Sequence, residues 1–272
     1  MWRPAAVIAA ISLCFASPAP AQMSAESFVD LELVLAVDVS GSIDAGEAAL
    51  QRAGYVQALS DPRIGDAIAS GFLGRIAVTY VEWAGPQHQA QLVGWRVLDG
   101  PERARDFAAQ LATLPVRTAQ YTSISTIIGY ASYLIENNAY QGTRRVIDIS
   151  GDGPNNTGLL VTLARDKAVA EGLTINGLPI LNGRPNRYGY PQLKDLDRYY
   201  VECVIGGPGA FIEIANGFET FAETVLRKLL LEIAARPAPP RPAIRPAAGE
   251  GTYDCLIGER QLQQFFNDSG AL

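Results

Sequence analysis

Residues 31–42 read LELVLAVDVSGS, and this stretch decides the fold. Its first seven residues form a nearly continuous apolar run rich in branched side chains, which is typical of a central parallel strand buried on both faces. The run ends in a turn of serine and glycine. Residues 44–59 follow with a helical pattern that Asp44 and Glu47 are placed to cap. The stretch therefore predicts a strand, a polar turn and a helix in succession.

The same alternation of strands and helices continues along the chain. The predicted strands cover residues 74–83, 89–98, 145–150, 173–180 and 199–205, and the predicted helices cover residues 101–114, 122–137, 159–171 and 210–235. The second and third strands are close enough in sequence to pair antiparallel. The pattern predicts an α/β fold, a doubly wound and mostly parallel sheet with one antiparallel edge strand and helices on both faces.

Residues 1–21 have the pattern of a bacterial export signal. Arg3 supplies the positive end, residues 5–16 form a short apolar run, and residues 19–21 (APA) form a cleavage site of small residues. The bulky leucine before Cys14 disfavours a lipoprotein site. The apolar run is too short to cross a bilayer, and no later stretch reaches about 18 apolar residues. We therefore predict cleavage near residue 21 and a periplasmic or secreted protein without a transmembrane segment.

The rest of the chain divides into three parts. Residues 28–235 are predicted to form one domain, residues 236–250 a semi-rigid linker rich in proline and alanine, and residues 251–272 a short tail. Cys203 and Cys255 remain after export. In an oxidising compartment an even pair indicates one disulfide, which would tie the tail to the domain, and two buried thiols are the alternative.

The charge of the chain argues against a nucleic-acid partner. The formal net charge is −6, and loss of Arg3 with the export signal changes it to −7 (−6 − 1). A nucleic-acid-binding protein needs a basic surface, which this composition does not supply. The sequence also has no dense basic cluster that would attract an anionic membrane. The acidic balance by itself indicates solubility.

The turn after the first strand carries three oxygen-bearing side chains. Asp38, Ser40 and Ser42 alternate along it, at the sheet edge where open α/β folds bind ligands. A carboxylate with two hydroxyls offers only oxygen donors, which suits Mg²⁺, Ca²⁺ or Mn²⁺. The alternative is that the serines make turn and cap hydrogen bonds for the helix that follows.

Two further side chains are predicted to reach the same edge. Asp152 follows the strand at 145–150 in a glycine-rich turn, and Thr122 opens the helix at 122–137. Asp152 would approach a metal directly or through water, and the Thr122 hydroxyl would be a further ligand. The alternatives are an ordinary Asp-Gly turn and an ordinary threonine N-cap.

This order of features resembles the metal-ion-dependent adhesion site of von Willebrand factor A domains, over residues 28–235. In that family an aspartate and two serines of one loop, a threonine and a second aspartate surround one divalent cation. The resemblance implies metal ligands at Asp38, Ser40, Ser42, Thr122 and Asp152. With this donor set we expect one divalent cation, Mg²⁺ in the first place, with Ca²⁺ and Mn²⁺ as alternatives.

The chain departs from the family pattern at two positions. The family usually has glycine before the threonine, where this chain has Tyr121, and threonine before the second aspartate, where this chain has Gly151. Three other hydroxyl residues near Thr122 therefore compete for its role. They are Thr118, Ser123 and Thr126.

Four further motifs are similar to a bacterial secreted subfamily of such domains, DUF1194. They are YVEWAG at residues 80–85, DISGDG at 148–153, TINGLPI at 174–180 and VIGGPGAF at 204–211. The wider family binds protein ligands through its metal. The resemblance thus implies an exported, metal-dependent binding module of the adhesion type, whose partner presents an Asp or Glu carboxylate.

An enzyme is the main competing interpretation, specifically a metal-dependent hydrolase of the cell envelope. His88 is the only histidine, and no G-x-S-x-G motif surrounds Ser40 or Ser150. A metal-activated water would also need a general base, and none is evident. We therefore predict a binding protein and not an enzyme.

Two other ligand sites are weaker matches. Residues 148–153 resemble the start of an EF-hand loop, but its twelfth position is Leu159, where a bidentate glutamate is required. The glycines at 206–209 fit neither the dinucleotide fingerprint nor the P-loop. They are better explained by a tight connection between a strand and a helix.

Overall fold

A computed structural model describes residues 27–185, 191–234 and 253–269. Its single five-stranded sheet has the order β3-β2-β1-β4-β5, and β3 alone runs antiparallel to its neighbour. This arrangement confirms the predicted fold class. The strands are β1 (Phe28–Asp38), β2 (Ile76–Trp83), β3 (Gln89–Leu98), β4 (Gln141–Gly151) and β5 (Thr174–Pro179). The predicted export signal at 1–21 and the predicted linker at 236–250 lie outside the described residues.

Helices cover both faces of the sheet. They are α1 (Ala45–Ser60), α2 (Pro62–Ala69), α3 (Pro101–Ala112), α4 (Ile124–Glu136), α5 (Val161–Ala170), α6 (Leu196–Tyr199), α7 (Phe221–Ala234) and α8 (Ile257–Ser269), with a π-helical turn at Tyr200–Val204 after α6. No helix among the described residues is long and apolar enough to span a membrane.

The alternation of β1 side chains creates two cores. Leu33 and Leu35 pack in one core with residues of α1, α2, α3 and α7, whereas Val34 and Ala36 pack in the other with residues of α4 and the π-helical turn. Successive side chains of a strand point to opposite faces, so an uninterrupted apolar run fills both cores at once. β1 is thus the centre of a doubly wound sheet.

The prediction of a last strand at residues 199–205 is wrong, because this segment is helical. Tyr199, Tyr200, Cys203 and Val204 are its buried side chains, spaced one turn of a helix apart. They pack into the core beside α4 and α5. A short apolar run does not distinguish a buried strand from a buried helix, which explains the error.

The chain that lies beside β5 is a later, irregular segment. Phe211 accepts a hydrogen bond from the backbone N–H of Gly177, and Ala215 donates its own to Pro179. The predicted helix at 210–235 was consequently too long at its start, since α7 begins only at Phe221. Residues 211–217 use their backbone groups to cover the edge of β5 instead.

The tail contains more structure than expected. Cys203 and Cys255 form a disulfide with Cα atoms 5.6 Å apart, which confirms the predicted bond over the alternative of two thiols. The residues that follow form α8. The disulfide joins the start of this helix to the π-helical turn.

A fully buried lysine stabilises the junction between α7 and the sheet. Lys228 forms ion pairs with Asp148 of β4 and with Glu232 one turn further along α7, the latter at 2.6 Å. Burial raises the pKa of Asp148 to about 7, and the charge of Glu232 adds to this effect. Burial alone would lower the pKa of Lys228, but the two carboxylates outweigh it and raise that pKa. The cluster therefore keeps its cation.

Candidate metal site

The first component of the site is the loop that leaves β1. Asp38 is fully buried at the end of the strand, and its Oδ1 accepts a hydrogen bond from the Ser40 N–H at 2.7 Å. The Ser40 and Ser42 hydroxyl oxygens lie 3.0 Å apart. Asp44 caps α1 in a capping box with Glu47, so the two serines are not the helix cap. Both hydroxyls are therefore available for another role.

The second component is Asp152, which directly follows β4. Because β4 is the neighbour of β1, the ends of the two strands meet at the same edge of the sheet. The Ser42 hydroxyl donates to Asp152 Oδ1 at 2.6 Å, across 110 positions of sequence. The structure thus brings Asp38, Ser40, Ser42 and Asp152 together.

One buried carboxylate oxygen of this group has no hydrogen-bond partner. It is Oδ2 of Asp38. A Cβ atom added to Gly151 would lie 2.8 Å from this oxygen and 2.9 Å from the hydroxyl of Tyr200, itself buried and without a partner. Gly151 therefore leaves space that the threonine usual in the family would fill, and Tyr200 lies against that space.

Thr122 lies in the loop before α4 and does not open the helix, since Ser123 is at the cap position. Its N–H donates to Asn156 Oδ1 at 2.9 Å, and its carbonyl accepts from the Asn156 N–H at 2.9 Å. Asn156 therefore fixes this loop. Thr122 lines the same cavity as Ser42 and Asp152. Ser123 and Thr126 hydrogen-bond to each other at 2.7 Å, which favours Thr122 over these two competitors.

Tyr121, at the position where the family usually has glycine, has a backbone conformation that favours glycine. Its φ is +65°, in the left-handed region, and it is the only non-glycine residue with positive φ in the part of the chain that the structure describes. A non-glycine residue in this region costs about 1–3 kcal/mol. Its side chain is 45% exposed and lines the cavity, so packing does not explain the strain.

Replacing Tyr121 with glycine is expected to give a more stable protein than replacing it with alanine, by about 1 kcal/mol. Both changes remove the ring, but only glycine adopts positive φ without a steric penalty. Urea denaturation of the two variants measures the difference. Equal stabilities would mean that the loop relaxes to negative φ at little cost.

The surroundings of the two site carboxylates disfavour their ionised forms. Burial raises the pKa of Asp38 well above its usual range, and the charge of Asp152 raises it further. Burial also raises the pKa of Asp152 to about 6, with Glu47 adding to the effect while the Ser42 hydrogen bond opposes it. A divalent cation between them would remove both penalties, because the ionised forms would then be the favoured ones.

Without metal, we expect Asp152 to lower stability as the pH rises from about 4 to 7. Its pKa is near 3.8 in an unfolded chain and about 6 in the folded one. Between these values the folded state holds a proton that the unfolded state has released. The stabilisation that this proton provides is therefore complete below pH 3.8 and is lost as the pH rises through about 6. This shift corresponds to about 3 kcal/mol at most.

Urea denaturation across this pH range in metal-free buffer compares the wild type with Asp152→Asn. The difference isolates Asp152 from Asp148, which has a raised pKa in both proteins. The variant should show the shallower fall with pH. Parallel curves would contradict the assignment.

The donor set fits a hard divalent cation. Two carboxylates and the hydroxyls of Ser40, Ser42 and Thr122 offer only oxygen, and one oxygen of the Asp38 carboxylate is buried without a hydrogen-bond partner. Within residues 27–185, 191–234 and 253–269, no group of three or more His, Cys, Asp or Glu side chains forms a metal cluster. A cation here would therefore depend on hydroxyls for part of its coordination.

The competing interpretations lack support from the structure. Asp148 forms the ion pair with Lys228 in the core, so it does not begin an EF-hand loop. His88 lies in the turn between β2 and β3, where its N–H donates to the carbonyl of Gly85. The glycines at 206–209 connect the π-helical turn to the segment beside β5.

Sequence reasoning missed three polar residues that organise the site. Asn156 holds the Thr122 loop. Gln192 donates to the carbonyls of Asp152 and Ile180 at 2.9 and 2.7 Å. Asn155 connects α4, α6 and α8. The pair of asparagines directly after the Asp152 turn was the available signal, since such residues commonly hydrogen-bond to nearby backbone.

The sheet order, the helices on both faces and the loop after β1 define a von Willebrand factor A-like domain. The chain belongs to the DUF1194 family, a family described as proteins of unknown function, whose model matches residues 28–237. No curated protein matches the chain significantly.

Solved structures share the fold at low sequence identity. The pilus adhesin SpaC of Lactobacillus rhamnosus GG is 14% identical with a TM-score of 0.56, and the alignment covers 76% of this chain and 31% of the adhesin. A mussel byssus protein, proximal thread matrix protein 1 with a zinc-occupied MIDAS motif, is 15% identical with a TM-score of 0.51, covering 75% and 46%. The chain thus spans less than half of either protein.

Proposed function

We propose that this chain is an exported protein-binding module of the adhesion type that depends on a divalent metal. The observation that carries the proposal is that Asp38, whose carboxylate has a buried oxygen with no partner, lies at the same sheet edge as the hydrogen-bonded pair of Ser42 and Asp152. Such an oxygen costs free energy in the folded state unless it is satisfied. A bound cation would satisfy it.

The chemistry of the donors suggests how a partner binds. Asp38 and Asp152 would nearly neutralise a divalent ion, while the hydroxyls of Ser40, Ser42 and Thr122 carry no charge. The ion would then keep enough positive character to accept one more oxygen, such as the carboxylate of a partner's Asp or Glu. Mg²⁺ is the proposed ion, because it favours oxygen donors and retains positions for exchangeable ligands.

The comparisons support the part of this proposal that concerns protein binding. A pilus adhesin and a byssus matrix protein with a zinc-occupied MIDAS motif have the same fold. The Cys203–Cys255 disulfide agrees with an exported protein, because such bonds persist in oxidising compartments.

A metal-dependent hydrolase is the second candidate, and the geometry favours it less. Hydrolysis needs a base near the metal. His88 lies in the β2–β3 turn at the same edge of the sheet, but it does not line the cavity that Ser42, Thr122 and Asp152 line. The test is turnover of generic ester, phosphate and peptide substrates with Mg²⁺ or Mn²⁺. Activity that is lost in Asp152→Ala would establish the enzyme.

Metal-dependent capture tests the binding function directly. The mature protein is immobilised and exposed to the native cell-envelope fraction in Mg²⁺ or in EDTA, with Asp38→Ala as the control. We expect a partner that is retained only by the wild type in Mg²⁺. A partner that is retained equally in EDTA, or equally by Asp38→Ala, would contradict the proposal.

A further inference from the structure

Helix α8 lies over the candidate metal site and encloses a cavity with it. The cavity has a volume of about 250 Å³. Ser42, Thr122 and Asp152 line it on the sheet side, whereas α8 contributes Leu262, Phe265 and Phe266. One side therefore carries proposed metal donors, and the α8 side is mostly apolar, with Gln261 as its polar side chain.

The start of α8 is fixed to the domain by several independent contacts. The disulfide anchors Cys255 just before the helix. Gly258 packs so closely against the Asn155 carbonyl that a Cβ atom there would overlap it. Asn155 also donates to Glu259 Oε1 at 2.7 Å. These contacts hold the apolar side chains of α8 at the site.

The same loop connects α8 to the proposed metal ligands. Asn155 accepts a hydrogen bond from the Ser125 N–H at 3.0 Å, and its neighbour Asn156 holds the Thr122 loop. The family model matches residues 28–237, so α8 lies outside the matched part of the chain.

The proposed metal and the apolar side chains of α8 would together favour an anionic group with an apolar neighbour. Asp152 and Arg184 are the charged residues that line the cavity among those the structure describes. Arg184 forms an ion pair with Glu47 at 3.9 Å, so the attraction for an anion would come from the divalent cation and not from Arg184. The volume is below the range of about 300–1,000 Å³ typical of drug-sized pockets, so it suits one or two side chains.

We propose that α8 makes the site selective for a partner segment in which an acidic residue is directly next to a large apolar or aromatic residue. This inference rests on the proposed metal-dependent binding. The acidic side chain reaches the metal, and its neighbour packs against Leu262, Phe265 and Phe266. Burial of an aromatic side chain strengthens binding by about tenfold or more.

Capped dipeptides in Mg²⁺ test this selectivity by isothermal titration or NMR. Acetyl-Asp-Phe-amide and acetyl-Phe-Asp-amide are compared with acetyl-Asp-Ala-amide and acetyl-Asn-Phe-amide. We expect at least one Asp–Phe order to bind about tenfold or more tightly than Asp-Ala, and we expect Asn-Phe not to bind. Equal binding of the Asp-Phe, Phe-Asp and Asp-Ala peptides by the wild type would overturn the inference without any variant.

A double variant, Phe265→Ala with Phe266→Ala, should remove the preference and leave Asp-Ala binding unchanged. Phe72→Ala, at a residue that is 98% exposed, is the matched control and should keep the preference. A preference that survives the double variant would assign the selectivity elsewhere and overturn the inference. So would binding of 3-phenylpropionate as tight as that of the dipeptide, since the ligand would then be a free organic acid.

Mn²⁺ binding, followed by electron paramagnetic resonance, separates this inference from the proposed function. If the wild type binds neither Mn²⁺ nor any acidic peptide, the metal-dependent function itself fails. If it binds Mn²⁺ and both Asp-Phe and Asp-Ala with equal affinity, only the role of α8 fails. Retained Mn²⁺ binding also shows that the double variant is folded.

Discussion

Replacing Lys228 with methionine is expected to lower the free energy of unfolding by about 3–5 kcal/mol. Methionine keeps most of the volume but removes the cation that Asp148 and Glu232 share in the core. Two buried carboxylates would then be left close together with no compensating charge. Removal of one partner of a buried ion pair is more costly than replacement of the whole group by apolar residues, because it leaves a charge uncompensated.

The neighbouring residue provides a matched control for this variant. Arg227 lies on the same helix and forms an ion pair with Glu213, but its side chain is 51% exposed. Arg227→Met should cost less than about 1 kcal/mol, as exposed ion pairs usually do. Urea denaturation at pH 7.5 measures both variants. A Lys228→Met protein as stable as Arg227→Met would show that the cluster is not ionised.

Adding Asp148→Asn to Lys228→Met should recover part of the loss, since one of the two buried charges disappears. Lowering the pH should have a similar effect. Asp148 has its pKa raised to about 7 even with the lysine present, so it takes up a proton readily. The Lys228→Met protein should therefore lie closer to the wild type in stability at pH 5 than at pH 7.5.

Asp38→Asn is expected to weaken Mg²⁺ or Mn²⁺ binding at least about 100-fold. Outer-sphere partners of metal ligands alone change affinity by about 10–100-fold, and a ligand that carries half of the neutralising charge should count for more. The asparagine keeps an oxygen that accepts the Ser40 N–H, so the loop can keep its shape. The loss would then be electrostatic.

The same substitution should stabilise the metal-free protein. Asp38 is fully buried, and burial and Asp152 both disfavour its ionised form. Thermal unfolding with and without Mg²⁺ measures both effects. A ligand at 100 times its dissociation constant stabilises the folded state by about 2.7 kcal/mol, so the wild type should gain this amount, whereas Asp38→Asn, with affinity at least about 100-fold weaker, should gain no more than about 0.4 kcal/mol. Asp99→Asn, at an exposed loop position, is the control and should behave as the wild type. An equal gain in Asp38→Asn would place the metal elsewhere.

Local patterns in the sequence predicted the centre of the fold. The apolar run of β1 and the pairing of β2 with β3 were expected with nearly the observed bounds. The errors lie at the far edge, where the Tyr199–Ile205 stretch is apolar in a way that fits both a strand and a helix. Residues 211–215 alternate weakly and were assigned to a helix, although their backbone pairs with β5. Only tertiary packing decides such segments.

In the candidate site, too, local sequence patterns predicted some residues, and tertiary packing determines the others. Asp38 and Asp152 were predictable together, because both follow apolar strands and parallel strands end at one edge of a sheet. Thr122 was also predicted at this edge, but the conformation of its loop, the position of Tyr200 and the presence of α8 were not predictable. Each reaches the site through contacts with distant parts of the chain, such as Asn155 with Glu259 across 104 positions. No local pattern encodes a contact of that kind.

The long sequence separation between the two halves of the site has a kinetic consequence. Ser42 and Asp152 are 110 residues apart in sequence. They meet only after β4 has paired with β1 in the middle of the sheet. Contacts between residues so distant in sequence form slowly, since the intervening chain must be ordered before they stabilise anything. A cation that needs both halves would bind the finished domain and not its folding intermediates. The amount of cation bound during refolding would therefore measure the fraction of molecules in which β4 has paired with β1.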